Sequence, residues 1–555
     1  MPMRRETVWI TAAMAMMIAT AAVAMAGERV ETRLGTVEGS ANPAGVRAFL
    51  GIPFAEPPVG DLRWRAPRPA RPWEGVRQAK SFAPGPVQNV VLAMVTGSPP
   101  IFSEDCLYLN VWTPAKPPGE KLPVMAWIHG GGFIIGSTGT PAYDGARLAE
   151  KGVVVVSIAY RLGALGFLSH PELGREADGL SGNYGLRDQI AGLEWVRDNI
   201  AAFGGDPGNV TAFGESAGAI SVSMLAASPR ARGLFHRAIA QSGGSFAPPR
   251  LAEEGGQTMR PLKIAEEEGK AYLDGLGAAD LAAARALPPS EFLKDRRWWW
   301  PVVDGDVIPG DQHDLYRAGR FNDTPILIGT NSDEGAMFVR PGPSTAPEAF
   351  AKTVRDGYGD LADVILAAYP HATPDEAFRS SKDLFRDSIF AWNAWAWARL
   401  QSEKGSNRAF VYYFDRRAAG SDGASHAAEI PFVFRNLGIL GGFFGRPSPE
   451  DVAASELISD YWVQFAKSGD PNRPGLPEWP PFSASDPRYL HLDSAPTPAA
   501  RPVPNLPKLE AMEAYFAWRR GRLEKPVAAG ADPAVGDRPA EDAPAGRDGS
   551  AQALQ

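Results

Sequence analysis

Residues 209–218 read Asn209-Val210-Thr211-Ala212-Phe213-Gly214-Glu215-Ser216-Ala217-Gly218. Val210–Phe213 is a strand candidate, and the residues after Gly218 follow a helical pattern. Strand, Gly-x-Ser-x-Gly, helix is the arrangement of a nucleophile elbow. The turn is so tight that small residues must flank the serine. Its hydroxyl then projects above a sheet, and its backbone faces a helix N-terminus. Free N–H groups and positive dipole character at that terminus suit a developing oxyanion. The pattern taken alone also describes a glycine-rich strand-to-helix turn. The strand before it and the helix after it favour the catalytic reading of Ser216.

A second piece lies upstream. Leu122–Ile128 is an apolar strand that ends in His129-Gly130-Gly131-Gly132-Phe133. This glycine run lacks the Gly-x-x-x-x-Gly-Lys spacing of a phosphate loop. It fits a loop that turns backbone N–H groups toward a substrate carbonyl. The expected donors are Gly131, Gly132 and Ala217. Each such donor contributes about 3–4 kcal/mol at a transition state.

A serine hydroxyl needs an adjacent base, and in this architecture the order is Ser, then Asp/Glu, then His. Five histidines follow Ser216: His236, His313, His371, His426 and His491. His236 leads into a strand-like run. His313 and His371 read as surface residues, and His491 as an exposed strand residue. His426 follows the strand Phe410–Phe414 and a Gly/Ser/Asp loop, which is where the base belongs. The acid should follow an earlier strand end, and Thr324–Thr330 runs into Asn331-Ser332-Asp333-Glu334-Gly335. Spacing leaves Asp333 and Glu334 both open.

Working outward, apolar β-rich runs at Leu107–Trp112, Val124–Ile128, Val153–Tyr160, Val210–Phe213, Ile326–Gly329 and Phe410–Phe414 alternate with helical stretches such as Leu186–Phe203, Ser216–Ala227 and Asp387–Leu400. Continuous apolar runs mark strands buried on both faces, so an α/β fold with a mostly parallel sheet is expected. Val30–Leu34, Thr36–Gly39 and Val46–Ile52 read as antiparallel strands flanking it. The length of 555 residues would suit three or four domains. No linker composition interrupts Glu28–Glu524, and residues 27–525 therefore read as one large domain. Residues 526–555 are Ala/Pro/Gly-rich, have no aromatic residue and are expected to be disordered. With 44% apolar residues and a net charge of −8, the chain is neither disordered throughout nor a natural nucleic-acid binder. A single cysteine, Cys106, allows no intramolecular disulfide and no thiolate zinc site.

Residues 1–26 place Arg4 and Arg5 before a long apolar stretch ending in Ala24-Met25-Ala26. This is the pattern of a secretory signal peptide cleaved before Gly27, so a periplasmic or secreted protein is expected. A retained anchor is the alternative; the Ala-x-Ala site directly after the apolar run favours cleavage, and no stable membrane insertion is expected afterwards.

The chain resembles the type B carboxylesterases, the α/β-hydrolase family that includes cholinesterases and para-nitrobenzyl esterases. The resemblance runs from about Val30 to about Trp518. It rests on the elbow and on His129–Phe133, and on Gly51-Ile-Pro-Phe-Ala-Glu-Pro-Pro58 and Glu104-Asp-Cys-Leu-Tyr-Leu-Asn-Val111. Tyr160-Arg-Leu-Gly163, Asn183-Tyr-Gly-Leu-Arg-Asp-Gln189 and Ala238-Ile-Ala-Gln-Ser-Gly243 add to it. It implies Glu334 as the acid and His426 as the base. It further implies two-step hydrolysis of a small-molecule ester without metal or cofactor. A non-catalytic binding protein on the same fold is the rival from another class, and the presence of Ser216, Glu334 and His426 speaks against it; an amidase or an interfacial lipase is a closer rival.

Many members pair the cysteine of the Glu-Asp-Cys motif with one about twenty residues upstream, where this chain has Pro86 or Val87. The loop is unstapled, and it carries no tryptophan between Val87 and Cys106, which argues against a choline-ester specialist. Ser81–Ser103 holds no charged residue. It reads either as a loop packed on the core or as an apolar flap at the pocket mouth. Trp298-Trp299-Trp300 likewise reads as pocket lining or as core.

Overall fold

The computed structural model describes residues 28–523, apart from 116–118, 253, 255–257, 295–296, 419, 439–446 and 496. The expected leader at 1–26 and the expected tail at 526–555 lie outside the described residues.

The main sheet contains β1 (Glu28–Thr32), β2 (Gly35–Ala41), β3 (Arg47–Pro53), β4 (Val76–Gln78), β5 (Tyr108–Thr113), β6 (Leu122–Ile128), β7 (Val154–Ile158), β8 (Gly205–Glu215), β9 (Arg237–Gln241), β10 (Ile326–Asn331), β11 (Ala409–Phe414), β12 (Arg488–Leu492) and β13 (Ala499–Pro502). Its order is β1-β2-β3-β5-β7-β6-β8-β9-β10-β11-β12-β13, with β4 beside β2. From β7 to β12 every neighbour is parallel. β1, β2, β3 and β5 pair antiparallel in succession and β13 is antiparallel to β12, whereas β4 runs parallel to β2.

The two-residue period of a strand sends alternate side chains to opposite faces. In β6, Val124, Ala126 and Ile128 enter one core cluster, whereas Met125 and Trp127 enter the other. Helices α1 (Tyr184–Asn199) and α2 (Ala217–Ala227) cover the first face; α3 (Pro449–Ser468) contributes Ile458, Tyr461, Trp462 and Phe465 to the second. Burial on both faces explains why these strands read as continuous apolar runs. It also explains one error of orientation. The run at Leu107–Trp112, grouped with the parallel strands, is β5 and is antiparallel to both β3 and β7. A strand covered on both faces has the same composition in either direction.

The helix expected at Asp387–Leu400 starts with a π-helical turn at Asp387–Ala391 and continues as α-helix over Trp392–Lys404. Ser81–Ser103 does not pack on the core as a whole. Asn89 accepts hydrogen bonds from the Val91 and Leu92 N–H groups and caps a short helix, Val90–Val95. Val91 is 72% exposed, Met94 62% and Ile101 65%, while Ala93 is buried. Among the described residues, no helix is long and apolar enough to cross a membrane.

Every residue of α2 is buried, and it lies against the ends of β6 and β8. That close approach needs glycine at 218: a methyl group there would overlap the Ile128 carbonyl. Gly218→Ala should therefore destabilise the fold by about 1–3 kcal/mol. Equilibrium urea unfolding, with CD as the probe, measures it.

Candidate active site

β8 ends at Glu215 and α2 begins at Ala217, so Ser216 alone makes the turn. Its φ of 56° and ψ of −124° are strained for a residue with a Cβ. The strain is held from below. Ser216 N–H donates to the Gln241 carbonyl at 2.9 Å, which ties the elbow to the end of β9.

The loop after β6 runs alongside. Gly131 (φ 104°) and Gly132 (φ 60°) occupy left-handed backbone that other residues rarely adopt. Gly131 C=O accepts from Ile134 N–H and Ile135 N–H at 3.1 and 3.0 Å, closing a tight turn. Glu215 and Ser216 lie against Gly130, where a methyl group would crowd them. The indole of Trp298 lies against Gly132. Trp299 meets Tyr272 edge-on, and Trp300 is buried against Phe133. The tryptophan triplet thus divides between the site and the core.

The two acid candidates separate clearly. Glu334 is fully buried. Its Oε1 accepts from Asn331 N–H at 2.7 Å, and its Oε2 lies 2.6 Å from His426 Nδ1. Asp333 instead pairs with Lys382 at 2.7 Å. A proton on Nδ1 satisfies Glu334 and leaves the Nε2 lone pair free. Asn331 Nδ2–H donates to the Ser425 carbonyl at 2.8 Å and Asp333 bridges Ser425, which draws the histidine loop onto the end of β10. Phe390 stacks on His426 with a centroid distance of 4.6 Å, and Phe338 tilts over it at 5.2 Å.

The other histidines are employed elsewhere. His236 Nδ1 accepts from Val210 N–H at the opposite end of the elbow strand. His371 Nδ1 is bonded to the Tyr369 carbonyl. His491 lies in β12 beside Tyr413, half-buried where an exposed position was expected. His313, expected at the surface, is buried at the start of a short helix, Gln312–Arg317. Its charged sequence neighbours concealed that.

Sequence reasoning missed two buried carboxylates. Glu215 Oε1 lies 3.1 Å from His426 Nε2. It is a charge contact without hydrogen-bond alignment, since that oxygen is buried without a hydrogen-bond partner. Glu429 accepts from Gln241 Nε2–H at 3.0 Å and from Asn331 Nδ2–H at 2.6 Å. The available signal was position: one acid directly precedes the serine and the other follows the histidine by three residues. Burial disfavours the His426 imidazolium, but the charges of Glu215 and Glu334 outweigh it and lift the group from 6.5 to about 9. Burial likewise pushes Glu215 up to about 8, against the pull of His426, with Glu429 and Glu334 adding repulsion. Burial and the Glu334 charge also raise Glu429. Three carboxylates crowded in one dry site resist ionising together.

A parallel sheet whose strand end presents a serine on a strained turn, next to a glycine loop and a buried histidine–carboxylate pair, defines an α/β-hydrolase. The sequence profile of the carboxylesterase family matches residues 26–512, and the chain belongs to that family. It is similar to fumonisin B1 esterase of Sphingopyxis macrogoltabida, 38% identical with 81% of this chain and 84% of that protein covered. It is 34% identical to the acetylcholinesterase of Bungarus fasciatus, with 85% and 84% covered. It is also 34% identical to a medium-chain fatty acyl-CoA hydrolase precursor of Anas platyrhynchos, with 87% and 92% covered. Among solved structures it resembles a PNB esterase, with a TM-score of 0.75 at 34% identity and 88% and 100% coverage. A thermophilic PNB esterase gives a TM-score of 0.77 at 34% identity and the same coverage. The chain is a carboxylesterase.

The Glu215 carboxylate favours the charged imidazole, and a general base must be uncharged. Removing that charge lowers the pH at which His426 becomes competent. The acid limb of kcat/KM in wild type should lie above the ordinary histidine range, and Glu215→Gln should move it down by about one pH unit or more. A pH–rate profile of both proteins on one soluble ester checks this.

Proposed function

We propose that the protein hydrolyses carboxylic esters through an acyl-enzyme on Ser216, with His426 as base, Glu334 as its orienting acid and the Gly131, Gly132 and Ala217 N–H groups as the oxyanion hole. The observation that carries the reading is the 2.6 Å contact of His426 Nδ1 with the buried Glu334 carboxylate, with Nε2 turned to the residue preceding Ser216. Ser216 Oγ attacks the ester carbonyl carbon while Nε2 takes its proton. The carbonyl π electrons move onto oxygen, where the backbone N–H groups and the start of α2 hold the negative charge. When the tetrahedral intermediate collapses, the ester C–O bond breaks and Nε2 returns the proton to the leaving alcohol. Water then repeats the sequence on the acyl-enzyme, releasing the acid and Ser216. Glu334 fixes the imidazole tautomer and stabilises its charged form throughout.

Residues 27–525 are proposed to act as one catalytic domain, and residues 1–26 to export it to the periplasm or beyond as a cleaved leader. Trp298, lying on the Gly132 side of the serine, is proposed to bound the acyl pocket. The substrate is proposed to be a small-molecule ester, in keeping with the esterase names of the relatives.

Ser216→Ala should abolish turnover and labelling by a fluorophosphonate while leaving the melting temperature within a few degrees; near-normal activity in that variant refutes the assignment. Glu334→Gln should lower kcat by roughly 10³-fold or more, read on the same ester. Trp298→Ala should raise kcat/KM for bulky acyl esters relative to the acetate on the order of 10-fold, measured across a p-nitrophenyl ester series.

A further inference from the structure

Gln88 stands outside the catalytic groups, in the uncharged stretch before the exposed helix Val90–Val95. It is 1% exposed. Its carboxamide reads both backbone groups of one residue. Gly136 N–H donates to Gln88 Oε1 at 2.8 Å, and Gln88 Nε2–H donates to the Gly136 carbonyl at 2.7 Å. The second Nε2 proton goes to the Pro86 carbonyl at 3.0 Å. Both donors are therefore used, and the partners fix which way the amide points.

Gly136 closes the glycine loop. Its φ is 124°, and a methyl group on it would overlap the His129 ring and the Gly130 carbonyl. Ile135, just before it, crowds Gly131 and donates to the Gly131 carbonyl at 3.0 Å. A displacement of Gly136 is thus passed directly to the backbone that carries the Gly131 and Gly132 N–H groups. Other ties between the two loops are lighter: Ser98 Oγ and Thr140 Oγ1 share one hydrogen bond at 3.1 Å at the far end. The strand pairing of Gly85–Pro86 is with Phe102–Ser103, within its own loop.

We propose that Gln88 is a positioning residue for ester hydrolysis, setting the oxyanion loop through its two-bond clamp on Gly136. The inference rests on the oxyanion reading given above. It assigns the foot of the apolar loop a part in kcat and not only in stability. Losing the clamp shifts the donors without deleting them, so the loss should be a fraction of the 10²–10³-fold that removing one donor costs.

The test is Gln88→Met, which keeps the side-chain length and removes all three carboxamide hydrogen bonds, the two to Gly136 and the one to Pro86, assayed on p-nitrophenyl acetate well below the variant's melting temperature. Kcat and kcat/KM should fall together by at least about 10-fold, with KM within about 2-fold. Affinity for a trifluoromethyl ketone, which forms the tetrahedral oxyanion on the serine, should fall by the same factor. A folded Gln88→Met protein with wild-type kcat, or one that loses only KM, overturns the proposal. Should Gln88→Met fail to fold, Gln88→Glu carries the test, because it retains the acceptor for Gly136 N–H and loses the donor. A reduced kcat at unchanged KM supports the proposal there, and a wild-type kcat overturns it. Wild type assayed alongside separates the two readings: if it neither turns over the ester nor labels with a fluorophosphonate, the oxyanion reading itself has failed. If it does both and the variants match it, only the role of Gln88 has.

Discussion

The approach of α2 to the ends of β6 and β8 governs the geometry of this molecule. There is no room for a side chain at Gly218, because the Ile128 carbonyl occupies that space. With helix and sheet this close, one residue must reverse the chain, and Ser216 does so at φ 56°. A serine free to relax would leave this conformation. It is kept there by a helix buried along its whole length and by a hydrogen bond to Gln241. Core packing thereby holds a half-buried serine in a conformation that it would not keep alone. The same short distance sets the start of α2 beside the glycine loop, since Glu215 and Ser216 crowd Gly130.

Behind the serine lies an unusual concentration of buried acid. Glu215, Glu334 and Glu429 surround a single imidazole, with Gln241 and Asn331 as amide spacers. Each of these two residues makes three ties. Gln241 holds Ser216 with its backbone carbonyl and Glu429 with its side chain, and it accepts from Trp462 Nε1–H on α3. Asn331 donates its N–H to Glu334 and its Nδ2–H groups to Glu429 and Ser425. Serine, histidine and carboxylate therefore belong to one connected polar network that reaches both faces of the sheet. Such a network is stiff when every member is satisfied. Asn331 Oδ1 and Glu215 Oε1 are buried in it without a hydrogen-bond partner, and Glu215 Oε1 faces the one nitrogen that must exchange protons.

Much of this was legible in the chain. The elbow and the glycine loop announce themselves because their chemistry demands small residues at fixed spacing, and small residues in such order are rare. Parallel strands were visible as apolar runs, although their direction was not, as β5 shows. The choice between Asp333 and Glu334 could not come from spacing. It depends on Lys382, brought in from a distant helix to neutralise Asp333. Glu215 and Glu429 escaped notice for a related reason. A charged residue in a sequence reads as surface, and its burial is set by neighbours that only the fold assembles. His313 was misread in the same way, and Gln88 gave no signal at all because the partners that matter are backbone atoms of Gly136, forty-eight residues away.

The loop ahead of Cys106 is closed by hydrogen bonds and a short strand pair, and the Cys106 thiol is buried with its ionisation strongly opposed by burial. Nothing in the fold thus awaits oxidation. With one cysteine in 555 residues, the chain needs no thiol oxidase or isomerase to reach its native state and gives up no internal cross-link to a reductant. A catalyst built this way has a structure blind to redox conditions, the same in reducing and in oxidising solution.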